Sequence, residues 1–146
     1  MQETLKTASF LKRLGAMFYD FMLVLSFALV VGFFLMAVAM SLLGIENVPA
    51  GSPVAKGIFT LLVFFIFGFY GWFWTHGGQT LGMRAWKLKL VGQDHSKIGW
   101  MQAFFRFCYS IISWIPLGAG YLWMLVDKQR FTWHDRASKT YIIDIK

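Results

Sequence analysis

Arg13-Leu14-Gly15-Ala16-Met17-Phe18-Tyr19-Asp20, continued by 25 uncharged residues from Phe21 to Ile45, is the stretch that decides the fold. A helix of a water-soluble domain has no use for so long a Leu-, Val- and Phe-rich run. A bilayer core about 30 Å thick takes about 20 apolar residues in helix. The first span is accordingly placed at about residues 14–43. A signal peptide is the rival reading, helped by the basic residues ahead of the run and by Ala37-Val38-Ala39, which resembles a cleavage site. Its apolar region, however, would cover only about 7 to 15 residues. Asp20 would also be out of place in one. The segment is expected to be retained, and the chain reads as an integral membrane protein. An ionisable group within a span costs about 2.5 to 3.5 kcal/mol on insertion scales. Something must compensate for Asp20, which makes it the first candidate functional residue.

Composition points the same way. Hydrophobic residues make up 58% and charged residues 14% of the 146, against about 25% charged in soluble domains. The length suits a single membrane domain over residues 1–146, with no separate soluble one. One cysteine, Cys108, excludes an internal disulfide.

Outward from the first span, Gly44 to Lys56 has the Gly, Pro and Ser of a loop. A second charge-free span follows at about residues 57–75 and ends in Trp72 and Trp74, the residue type that marks the headgroup level. Gly77-Gly78-Gln79-Thr80-Leu81-Gly82 lacks the Lys-Ser/Thr of a phosphate loop and reads as a tight turn where the chain leaves the bilayer. Beyond it, Ala85-Trp86-Lys87-Leu88-Lys89-Leu90-Val91 alternates with period two, as a strand with one polar face does. Its expected partner is the β-branched tail Thr140-Tyr141-Ile142-Ile143-Asp144-Ile145. The two predict a small antiparallel ribbon at the cytoplasmic surface.

The third apolar region, residues 98–126, holds Arg106 and is broken by Pro116, Gly118 and Gly120. Charge decides how to read it. Basic residues cluster at Lys6, Lys12 and Arg13, at Arg84, Lys87, Lys89 and Lys97, and at Lys128, Arg130, Arg136, Lys139 and Lys146. The positive-inside rule places all three groups, and so both termini, in the cytoplasm. A single crossing over residues 98–126 would put the basic tail outside. The expectation is a helical hairpin, re-entrant or crossing twice: one helix to about Ser113, a turn over Pro116 to Gly120, a shorter helix to Val126. The fold class is thus an all-α membrane protein with two full spans, this hairpin and the ribbon.

Four residues are candidates for ion binding or transport: Arg13, Asp20, Arg106 and Asp135. Arg13 and Asp20 share a helix face about 10 Å apart along the axis, and Arg13 is read as snorkelling to the headgroups. Arg106 lies about two turns into its helix, at a depth similar to that of Asp20. Opposite charges at one depth are how a bundle tolerates either, so an Asp20–Arg106 pair is expected. Functionally, a membrane carboxylate can take a cation or a proton in turn; structurally, a fixed ion pair merely locks two helices. His134-Asp135 allows a group titrating near neutrality, or a plain capping dipeptide. His76, His95 and His134 lack metal-ligand spacing, and neither a metal nor a cofactor is expected. No nucleophile–base set stands at a suggestive spacing, so no enzymatic activity is expected. The basic clusters would attract anionic lipid at about 1 kcal/mol per residue. Topology accounts for the charge without nucleic acid.

Arg13 to Asp20, Gly78-Gln79-Thr80-Leu81-Gly82-Met83-Arg84 with Lys87-Leu88-Lys89-Leu90-Val91, and Trp133-His134-Asp135 with Thr140 together resemble the RDD family of bacterial membrane proteins. The resemblance covers about residues 8–145. The family is named for one arginine at the start of the first helix and two aspartates. These map onto Arg13, Asp20 and Asp135, with Asp127 the other candidate for the last. The resemblance implies an inner-membrane location and transport, including exchange of sodium or potassium for protons. Secondary transporters commonly use paired repeats. This sequence shows none, so a transporter would be a homo-oligomer. The alternative is a non-catalytic scaffold or partner subunit in which Arg13, Asp20 and Asp135 hold helices and ribbon together.

Overall fold

The computed structural model describes residues 7–145. Lys6, Lys146 and the very ends of the chain, on which part of the expected orientation rests, lie outside the described residues. Helix α1 covers Phe10–Leu43 and α2 covers Pro53–His76. A short α3, Leu81–Ala85, leads into β1, Leu88–Gly92. Helix α4, Trp100–Ile112, is followed by α5, Ala119–Leu122, and a 3-10 turn, Trp123–Leu125. Helix α6, Trp133–Ser138, and β2, Thr140–Asp144, complete the order.

Both α1 and α2 are long and apolar enough to cross a membrane. What distinguishes α1 from the core helix of a soluble protein is which residues it buries: Arg13, Ala16 and Asp20. Spaced three and four apart, they form one stripe along the helix, and its large apolar residues, such as Phe33 and Leu42, face outward. The second helix starts earlier than the expected residue 57. Ser52 Oγ accepts the N–H of Ala55 and Pro53 takes the first helical position, where a missing N–H has no cost. A proline that reads as loop in the sequence is a helix start.

By its contacts the chain forms two compact units, Phe21–Phe69 and the remainder. Within Phe21–Phe69, Gly32 lies against Leu62, and the Phe27 and Phe69 rings stack at 6.3 Å. The other unit carries the ribbon. Strands β1 and β2 pair antiparallel, with Leu88 opposite Asp144 and Gly92 opposite Thr140. Leu88 and Leu90 are buried and Lys89 is exposed, as the alternation predicts.

The ribbon gathers distant parts of the chain. Ala8 donates its N–H to the Ile142 carbonyl at 2.9 Å, and Thr7 bridges to Ile143. On the β1 side, the Leu90 N–H reaches the Gly78 carbonyl and the Gln79 amide reaches the Leu88 carbonyl, both at 2.6 Å. The start of α1, the end of α2, β1 and β2 are therefore hydrogen-bonded into one assembly. Beneath it Ala16, Trp74, Met83, Leu88, Leu90 and Ala103 belong to one buried cluster.

Candidate functional site

Two buried carboxylates stand at the centre of the ribbon-bearing unit, each held in a different way. Asp135 belongs to α6, which begins with a capping box: Thr132 Oγ1 accepts the Asp135 N–H, and the carboxylate accepts the Thr132 N–H, both at 3.2 Å. This local pattern, Thr-x-x-Asp before a short helix, fixes the side chain at the helix start. Arg13 Nη1 then donates to Oδ2 and Arg106 Nη1 to Oδ1, each at 2.6 Å. The Asp135 side chain is 0% exposed. Burial would raise its pKa, but the two guanidinium charges outweigh that and hold the carboxyl well below the usual carboxylate range.

Each arginine is tied further. Arg13 Nη2 donates to the Ile142 carbonyl at 3.3 Å, linking α1 to β2. Arg106 Nη1 also reaches Thr140 Oγ1 at 2.9 Å, and its guanidinium lies 5.6 Å from the centre of the Trp74 ring, within the range of a cation–π contact. His134 packs beside the pair. Burial and the Arg106 charge push its imidazole down to about 3, so it is neutral at physiological pH. The expectation of a His134 titrating near neutrality is therefore overturned. The capping reading holds, with Asp135 as the cap.

Asp20 is handled by neutral groups. It is 5% exposed; Oδ2 accepts the Thr80 hydroxyl and Oδ1 accepts the Gly82 N–H at 2.8 Å. Thr80 is at once the N-cap of α3, accepting the Met83 N–H at 3.2 Å. A side chain at Gly82 has no room, because its Cβ would collide with the Ala16 carbonyl and come within 2.9 Å of the Asp20 carboxylate. Glycine is what lets α3 approach α1 closely enough for its amide to reach the acid. Among the described residues, no cation pairs with Asp20.

Two sequence expectations are corrected here. The expected Asp20–Arg106 pair does not form, since Arg106 goes to Asp135. Arg13 does not snorkel: it is 4% exposed and turned into the protein, because a carboxylate within reach is a better partner than lipid headgroups. Three of the four candidates, Arg13, Arg106 and Asp135, form one cluster, while Asp20 stands apart with Thr80 and Gly82. Asp127 pairs with the exposed Arg136 and accepts the Phe131 N–H, whereas Arg13 goes to Asp135. Thr80 and Thr140 lie in the segments that carry the family resemblance, but the sequence reading gives neither a role at the site. The turn preceding α3 signals an N-cap at Thr80, but nothing local signals its bond to Asp20.

The sequence model of the RDD family matches residues 7–139, nearly the whole chain. The chain belongs to the RDD family. RDD proteins are membrane proteins, which fits the outward-facing apolar surface of α1. Neither the curated proteins nor the solved structures include a significant match. Within the matched region, Arg13 at the start of α1 and Asp135 on α6 are in direct contact.

Proposed function

We propose that this RDD protein is an oligomeric transporter of monovalent cations or protons in the bacterial inner membrane, with both termini cytoplasmic and Asp20 as the ion-binding acid. The observation that carries the reading is the setting of Asp20: a buried carboxylate on a membrane helix, satisfied by a hydroxyl and an amide and, among the described residues, by no positive charge. An acid clamped by arginine has its charge neutralised permanently. An acid held by neutral donors keeps a net charge that a proton or a small cation can neutralise, which is the property a carrier site needs. The positive-inside distribution supports the orientation. Arg13, Arg106 and Asp135 act in this reading as the rigid frame beside the site.

The test is ion exchange in proteoliposomes holding an internal pH dye, with wild type and Asp20→Asn challenged by sodium, potassium and lithium. Cation-dependent dye recovery in wild type alone is the expected result. Silence from well-folded wild type would refute transport. A second reading, a membrane scaffold or partner subunit, draws support from the Asp135 clamp, a device that fixes helices and ribbon without moving anything. Under it, Asp20→Asn would alter thermal stability or partner capture, and wild type would show no flux.

A further inference from the structure

The hairpin of residues 100–126 has the build of a wedge in one leaflet. Its two flanks are joined, since β1 before it pairs with β2 after it, and Arg106 on α4 is bonded to Asp135 on α6 and to Thr140 on β2. Both ends of the hairpin therefore lie on the side of the membrane that carries the ribbon. Its limbs are short. Helix α4 has 13 residues, about 20 Å; α5 and the 3-10 turn after it have four and three residues, about 12 Å together. Neither reaches across a core of about 30 Å.

The limbs are also closed on each other. Ser113 packs so tightly on Gly120 that no Cβ would fit there, and the Trp114 and Tyr121 rings lie 5.3 Å apart. Helix α4 turns Ala103 and Arg106 inward, with Phe104 and Phe105 exposed outside. At the apex Ile115 is 77% and Leu117 95% exposed. An apolar tip so bare needs a non-aqueous neighbour. The base of the hairpin says which one. Exposed Lys97 precedes α4 and exposed Lys128 and Arg130 follow the 3-10 turn, with exposed Trp100 and Trp123 on the two limbs. A basic collar and interfacial tryptophans below an apolar tip match anionic headgroups over acyl chains.

We propose that residues 100–126 insert into a single leaflet, on the ribbon-bearing side, and do not reach the opposite face of the bilayer. This surface is separate from the Asp20 site and stands whether or not the protein transports ions.

The test uses a Cys108→Ala background carrying Ile115→Cys, with Leu117→Cys repeating it at a second apex position. Lys128→Cys and Glu46→Cys serve as markers of the two sides. Sealed right-side-out and inverted vesicles are treated with an impermeant maleimide, and a bimane dye on the apex cysteine is tested against nitroxide-labelled lipid. The expected result is labelling of Lys128→Cys from one side, of Glu46→Cys from the other, and of either apex cysteine from neither, with bimane emission quenched by lipid. Apex labelling from the Glu46 side would mean a full double crossing and overturn the proposal. Apex labelling from the Lys128 side would put the tip in water and overturn it equally. Apex cysteines that form disulfide-linked dimers and escape lipid quenching would also overturn it, giving the surface to a second copy of the chain.

Discussion

Asp20 and Asp135 are both buried acids, yet one is clamped between two guanidiniums and the other rests on a hydroxyl and an amide. The clamped acid, Asp135, is built for permanence. Two positive charges meet its carboxylate, and its own helix cap orients it from behind. Removing one member of a buried ion pair costs about 3 to 5 kcal/mol, because the partner is left charged and unpaired. The other acid is held by a hydroxyl and an amide, and among the described residues no cation pairs with it. Inside one small unit, two buried aspartates are held by opposite means, one by cations and one by neutral donors.

The harshest way to break this contrast is Asp135→Asn. It strands Arg13 and Arg106 in the interior, and a loss of about 3 to 5 kcal/mol is expected, read as a large fall in Tm in detergent or as failure to accumulate. A mutant that melts like wild type would deny the clamp its role. Acid tests the neighbourhood next. His134 is held down to about 3, whereas an unfolded histidine titrates near 6.5. Below about pH 6.5 the unfolded chain binds a proton that the folded chain refuses. Stability therefore falls with pH from there, at up to about 1.4 kcal/mol per unit. Asp135, whose folded pKa is depressed, adds its own loss only near and below about pH 4. His134→Gln should flatten the melting curve between pH 7 and 5 while leaving the loss below pH 4.

Asp20→Asn sharpens the comparison from the other side. The carboxamide can still accept the Gly82 N–H and can donate to Thr80 Oγ1, so the change in stability should stay near about 1 kcal/mol, the worth of one hydrogen bond. Its effect should appear in flux. A collapse as deep as that of Asp135→Asn would make Asp20 a second structural lock. Asp127→Asn should do least of all, leaving Tm and flux as in wild type. A large effect there would return Asp127 to contention as the second aspartate of the family.

The sequence makes the repetitive parts readable and leaves the pairing of charges hidden. Long apolar runs predict α1 and α2, and the Lys-Leu-Lys-Leu alternation predicts β1 together with its partner, because period and composition are local properties. The Pro116 and Gly118 break separates α4 from α5, as expected of those residues. The choice of partner for Arg106 is not local. Matching depths make Asp20 a candidate, but depth is one coordinate of three, and a six-residue polar helix 29 positions later brings a better acceptor. Arg13 misleads for the same reason: its partner lies 122 residues away. Gly82 does carry a signal, a glycine inside a helical turn where any side chain would block Asp20 from the amide.

That separation of 122 residues between Arg13 and Asp135 also imposes an order of events during synthesis. At about 5 to 20 residues per second, the ribosome delivers Asp135 about 6 to 24 s after Arg13. Both spans have left the ribosomal active site by then. For that interval the nascent first helix holds its arginine without the acid that clamps it in the finished fold. The clamp therefore cannot form until α6 has been made, and a chain released before it leaves Arg13 and Arg106 without their shared acid.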